Sequence, residues 1–335
     1  MWGRSARIQA ALYDPRRLQL RPKRRAERAC GSLLTGMTST ELNQQFGIAN
    51  ALRFETAPGG LTRATISTPL AQAEIYQHGA HIAHWTPQGR KPVLFTSSKS
   101  LFEAGKAIRG GVPIIFPWFG PRSGGKPGPM HGFARTALWS VESAFLLDNG
   151  AVEIAFSLEA DDASLALGFD GFSVRFTATV GSGLAMSLEI INRSDAPLVF
   201  EEALHTYFVV SNIGDVAVSG LEGTAYIDKT DGFSRKIQGN DPIRVNKETD
   251  QVHMNSAAAC VISDEPWGRR IVIRKSGSHS TVVWNPWIAK TATLADMAPD
   301  EWQGMICVET ANVAENAVTL GSGDSHRMTA TISVE

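Results

Sequence analysis

Four short segments bring acid–base, cationic and aromatic groups close together along the chain. Residues 108–120 read IRGGVPIIFPWFG, residues 131–135 HGFAR, residues 201–208 EEALHTYF and residues 307–312 CVETAN. Histidine titrates near neutrality and, beside a carboxylate, can take or give a proton. Arginine offers a planar fork of donors that matches an oxyanion. If residues 201–208 form a strand, His205 shares a face with Glu201, Ala203 and Tyr207. In the last segment Glu309 shares a face with Met305 and Cys307, while Ile306 and Val308 point the other way. A carboxylate on so small and apolar a face is either paired or functional. Gly110 and Gly111, beside Arg109, would let a ligand approach the main chain closely. Taken singly, Arg109 and Arg135 read equally well as surface or ion-pair arginines. Cys307 reads as an inert buried thiol and Asp228 as a turn residue.

His78, His81 and His84 suggest a metal cluster at first sight. In a strand His81 faces away from the other two, and His78 lies about 20 Å from His84 at roughly 3.3 Å per residue. A helix would group them, but Gly79 and Pro87 oppose one. They are expected to be structural strand histidines, so no metal site is assigned.

These groups must be carried by strands. In FSVRFTATV, residues 172–180, Phe172, Val174, Phe176, Ala178 and Val180 face one way and the polar residues the other. Segments 152–158, 186–191, 271–274, 281–284 and 328–334 behave similarly, separated by turn sequences such as Asp148-Asn149-Gly150. No helical apolar stripe persists over three turns. Strands recurring without intervening helices indicate antiparallel sheets packed face to face. The Gly- and Pro-rich stretch 120–132 is expected to be a loop, either mobile in solvent or lining a binding site.

Composition narrows the function further. Of 335 residues 43% are hydrophobic and 19% charged, and no apolar run is long enough to cross a bilayer as a helix. Residues 1–37 carry nine Arg and Lys against Asp14 and Glu27, whereas the rest carries 23 basic and 31 acidic residues. The acidic body gives no bulk electrostatic reason to bind nucleic acid, so any anion must be held by a local group of cations. Residues 1–40 are expected to form a disordered or over-extended basic leader, with a transit peptide or a nucleic-acid-binding arm as the alternatives. Residues 41–335 are then a single domain. Three cysteines, Cys30, Cys260 and Cys307, make no paired framework and fit a reducing, cytoplasmic setting.

Taken in order, RGGVPIIFPWFGP, HGFAR, EEALHTYF, YIDK and VETAN resemble the glucose-6-phosphate 1-epimerase branch of the aldose 1-epimerase superfamily, from about residue 50 onward. The resemblance implies an all-β fold, a large antiparallel β-sandwich of the galactose mutarotase-like supersandwich type. It implies an isomerase that interconverts the α and β anomers of a hexose 6-phosphate without a cofactor. His205 then corresponds to the catalytic acid and Glu309 to the catalytic base. Arg109, Arg135, His131 and Asp228 correspond to substrate-binding residues. Met130 departs from the pattern, because some members carry Gln there and a thioether cannot replace an amide's donors and acceptor. Arg122 or Lys126 could close over the phosphate from the loop. Trp284 and Trp287 could stack on sugar faces or anchor a loop. A sugar phosphate is the expected partner, with no nucleic acid or membrane, and the chain is expected to be a monomer. The alternatives are an epimerase of unphosphorylated aldoses and a non-catalytic carbohydrate-binding module.

Overall fold

A computed structural model describes residues 36–335. The basic leader expected over residues 1–40 therefore lies outside the described residues up to Thr35. The helix Ser39–Phe46 begins ahead of residue 41, where sequence alone placed the start of the domain. Thr38 caps this helix and Glu41 returns the bond, a capping box that fixes where it begins. Its Leu42 and Phe46 are buried in the main core.

Period-two patterning becomes strand where it was read. FSVRFTATV is the strand Phe172–Val180, paired antiparallel with Val152–Glu159 on one side and Leu184–Asn192 on the other. These lie in an eight-stranded sheet running Val216–Ser219, Cys260–Asp264, Arg269–Ser276, Ser325–Val334, Leu184–Asn192, Phe172–Val180, Val152–Glu159 and Ser140–Leu146. A second eight-stranded sheet runs Ser234–Ile237, Ala225–Asp228, Thr249–His253, Ser280–Asn285, Met305–Asn312, Glu202–Leu204 and Ile114–Ile115, with Tyr207–Val209 also paired to Met305–Asn312. A four-stranded sheet is built from Leu52–Thr56, Thr62–Ser67, Ala71–Tyr76 and His81–Pro87. The ladders between these strands are antiparallel, as the absence of crossover helices requires.

One apolar core joins the three sheets. It contains Ile66 and Trp85 from the four-stranded sheet, Phe156 and Phe176 from the first large sheet, and Ile306 and Val308 from the second. Trp85 and Trp139 are fully buried, and each indole N–H donates to a main-chain carbonyl, of Gly181 and Ala134 respectively. The sandwich is thus a rigid support on which the loops and sheet ends hold their side chains.

The docking of the first helix can be checked through Leu42. Leu42→Ala is expected to destabilise the protein by about 2–5 kcal/mol, the usual loss for a buried Leu. A urea titration would show this as a lower midpoint at unchanged slope. A wild-type midpoint would mean that the helix does not contribute to the core.

Candidate active site

The strand Met305–Asn312 lies at the centre of the site, and all eight of its residues are buried. Ile306 and Val308 enter the main core, while Met305 and Cys307 pack with Tyr207 on the other face. Leu204 pairs with Thr310, and Tyr207 with Cys307, so His205 falls opposite Glu309 between them. His205 Nε2 lies 3.3 Å from Glu309 Oε1. That is ion-pair distance, yet the two are not aligned as a hydrogen bond. Neither carboxylate oxygen of Glu309 has a hydrogen-bond partner among the described residues. The His205 ring is stacked on Tyr207 with centroids 4.8 Å apart and meets the edge of Trp284 at 6.1 Å.

These two groups face a cleft of about 300 Å³, within the range of small-molecule sites. Arg109, His131, Arg135 and Tyr207 line it together with Phe119, Met130, Trp284 and Lys290. A larger groove of about 820 Å³ beside the four-stranded sheet is lined by Glu74 and His84, but Glu74 is ion-paired with Arg63 and His84 is bonded to the Thr86 hydroxyl, so the groove is not assigned the chemistry. His131 is shaped by its surroundings. It adopts a left-handed backbone with φ 64°, followed by Gly132 at φ 70°. The Gly120 N–H donates to its Nδ1 at 3.2 Å, and its ring lies edge-on to His205 at 5.6 Å. A non-glycine residue held in that region is strained, and such strain gathers at functional sites.

Charge in the cleft is largely paired. Arg109 donates one Nη to the Tyr207 hydroxyl at 3.0 Å and meets Asp296 with the other at 3.1 Å. Lys229 meets Asp250 at 2.9 Å and lies over the Phe119 ring. Arg135 differs, donating to the Met130 carbonyl at 2.8 Å and having no carboxylate partner among the described residues. Its Nε, like that of Arg109, is buried without a partner. Burial, and secondarily His131, Arg135 and Arg109, push the His205 imidazole well below its ordinary pKa. Burial, then the Asp250 carboxylate, push Glu309 well above the ordinary carboxylate range, with Lys229 opposing. Both shifts favour the uncharged forms of the pair.

The structure brings His205, Glu309, Arg109, Arg135 and His131 into one cleft, but not Asp228. The Asp228 carboxylate accepts from the Thr230 N–H and hydroxyl and from Lys236 at 2.8 Å. It closes its own turn, and the cleft carboxylate supplied from this region is Asp250, on the adjoining strand Thr249–His253. The signal that could have found it was the alternation of that strand, which places Asp250 and Val252 on one face. Arg122 stacks on Trp118 and Phe169 and donates to the Leu167 carbonyl, so it is held away from the cleft. Lys126 lines a separate depression with it. Gly110 and Gly111 do not serve ligand approach. A Cβ on Gly110 would meet the Phe95 carbonyl, and one on Gly111 the Ile82 carbonyl, so both accommodate neighbouring main chain. Of the tryptophans, Trp284 walls the cleft whereas Trp287 packs on Trp302. Cys307 is buried behind Tyr207 and burial pushes its thiol well up, as befits an inert thiol. His78 and His84 are occupied by the Lys106 carbonyl and the Thr86 hydroxyl.

The class these features define is an antiparallel β-sandwich carrying an imidazole–carboxyl pair in a polar cleft. Residues 62–333 match the aldose 1-epimerase family model, and the chain belongs to that family. It is 34% identical over 263 residues to a proposed glucose-6-phosphate 1-epimerase of Cenchrus ciliaris, covering 76% of this chain and 79% of that one. A proposed glucose-6-phosphate 1-epimerase of Escherichia coli (strain K12) is also 34% identical, over 251 residues, with 75% and 83% covered. The crystal structure of a proposed mutarotase from Salmonella typhimurium superposes with a TM-score of 0.80 at 31% identity, covering 86% of this chain and 95% of that one. The antiparallel sandwich expected from alternation is thereby established. No helix among the described residues is long and apolar enough to cross a membrane.

The raised Glu309 has a consequence for stability. Above the model-peptide value of 4.5 the unfolded chain has released a proton that the folded protein still holds. Stability therefore falls as pH rises from there toward the raised folded value, and stays reduced above it. Glu309→Gln removes this loss. Its melting temperature is expected to exceed wild type by several degrees at about pH 8 and to match it at about pH 4. Equal melting temperatures at both pH values would show that Glu309 is not destabilised by its burial.

Proposed function

We propose that the protein interconverts the α and β anomers of a hexose 6-phosphate, with glucose 6-phosphate as the first substrate to test. The observation that carries this reading is Glu309, a buried carboxyl with both oxygens unpartnered, 3.3 Å from His205 in a cleft whose Arg135 lacks a counter-ion. Ring opening requires the C1 hydroxyl proton to leave as the C1–ring-oxygen bond breaks. Glu309, as carboxylate, takes that proton; His205, as imidazolium, delivers one to the ring oxygen. C1 becomes an aldehyde carbonyl. Rotation about C1–C2 presents its other face, and the two proton transfers run backward to close the ring. Each of two such groups contributes roughly 10²- to 10⁴-fold.

The reaction needs the charge-separated form of a pair whose surroundings favour its uncharged forms. A phosphate dianion on Arg135 supplies the difference. It cancels part of the cationic field that depresses His205, so the proton passes from Glu309 to His205 when substrate is in place. His131 and Asp250 are placed to hold ring hydroxyls, and Arg109 orients Tyr207 and lies ready to share the phosphate. The reading for unphosphorylated aldoses draws on Arg109 being already paired with Asp296.

Exchange between the anomers of glucose 6-phosphate, followed by NMR with and without protein, tests the activity. Glu309→Gln and His205→Asn are each expected to retain less than about a tenth of the wild-type rate. Retained activity in either would move that role elsewhere.

Substrate choice is tested at Arg135. A charge-assisted contact is worth about 1.5–3 kcal/mol, so Arg135→Ala should weaken glucose 6-phosphate by roughly 10- to 150-fold. Turnover of free glucose should not fall, and Lys at this position should restore only part of the loss. Equal loss with both sugars would favour the unphosphorylated-aldose reading.

A further inference from the structure

Behind the catalytic pair lies a second buried carboxylate that the proposed chemistry does not use. Glu202 is fully buried, on the face of its strand opposite the cleft, among residues of the main core. Its Oε1 accepts from Asn312 Nδ2 at 2.8 Å and lies at ion-pair distance, 3.0 Å, from His326 Nε2, which is itself hydrogen-bonded to the Gly277 carbonyl at 2.9 Å; Oε2 has no partner among the described residues. Asn312 Nδ2 also donates to the Gly277 carbonyl at 2.7 Å, and its Oδ1 accepts from the His279 N–H at 2.9 Å. His326 lies on Ser325–Val334 in one large sheet, and Glu202 and Asn312 lie on paired strands of the other. One carboxylate therefore ties the two sheets together at the strand pair that carries His205 and Glu309.

Burying a carboxylate is costly, and a well-packed apolar group at such a position is often no less stable. A reason for this tie is found in the neighbouring pattern. The strand Met305–Asn312 is buried on both faces, and so is Glu202–Leu204. With both faces buried, the contrast between a dry and a wet face does not by itself fix the register, and polar pairs can add to it. A slip by one residue would turn Glu309 from the cleft into the core. Glu202 opposite Asn312 is the polar pair that distinguishes the registers, in the way that a buried polar residue sets register in a coiled coil.

We infer that Glu202, with Asn312 and His326, is a register lock: a set of positioning residues that holds His205 opposite Glu309. The inference rests on the acid–base reading of that pair. Lack of any acceleration by wild-type protein would be a failure of that reading, not of the lock.

The test compares Glu202→Leu, Glu202→Gln and His326→Ala with wild type in the glucose 6-phosphate exchange assay, on protein shown to be folded by circular dichroism. Glu202→Leu is expected to fold, yet to lose about 10- to 100-fold in kcat, as misplacement by an ångström costs. Its KM should change less than about twofold, because Arg135 lies off this strand pair. Glu202→Gln keeps an oxygen for Asn312 and is expected to recover kcat to within about threefold of wild type. His326→Ala, at a partly exposed position, removes one strap without placing a new group in the interior. It should lower kcat about fivefold at unchanged KM, and it reads the lock even if Glu202→Leu does not fold. Wild-type kcat in folded Glu202→Leu or His326→Ala, or Glu202→Gln no better than Glu202→Leu, would overturn the lock.

Discussion

The pairing of Glu202–Leu204 with Met305–Asn312 brings together two side chains far apart in sequence and fixes both directions at once. Backbone hydrogen bonds set the spacing, and the alternation of the strand decides which groups face the cleft and which the core. Glu309 faces the cleft because Val308 and Thr310 do not. The position of His205 follows from the same ladder, continued past a short irregularity in which the Thr206 N–H donates to the Leu204 carbonyl. Around this pairing the surrounding structure acts as a clamp. Glu201 accepts from the Phe119 and Ala314 N–H groups, tying the cleft wall at Phe119 to the segment after Asn312.

Electrostatic pairing then selects what the cleft can do. Two of its cations are already matched, Arg109 by Asp296 and Lys229 by Asp250. Arg135 is half-buried beside the imidazoles with only a carbonyl as partner. A cation without a counter-ion in such a place is favourable to an incoming anion. The same low-dielectric surroundings move the carboxyl and the imidazole toward their uncharged forms.

Stability and function oppose each other at several points. Glu309 has no hydrogen-bond partner, His131 holds an unfavourable φ, and Glu202 leaves one oxygen unsatisfied in the interior. The aromatic and aliphatic core shared by three sheets offsets these local costs. It also explains why the reactive groups stand on strands and short connections anchored to that core.

Much of this protein can be read along the chain. Alternation in FSVRFTATV and its counterparts determined the strands, because one buried face leaves a period of two in any sequence. The carboxylate sharing a face with Met305 and Cys307 singled out Glu309 as paired or functional, and the family resemblance singled out His205 beside it. Other features had no local trace. Asp228 and Asp250 are both acidic residues on strands of one sheet, and only the turn that consumes Asp228 and the pairing that turns Asp250 toward the cleft separate them. The arginines look alike in sequence, yet Asp296 neutralises Arg109 and stacking on Trp118 removes Arg122. The glycines beside Arg109 suggested room for a ligand, where the fold needs room for its own backbone. Periodicity reports which way a side chain points from its own strand. What that side chain meets depends on which distant strand lies opposite, and only the tertiary structure decides that.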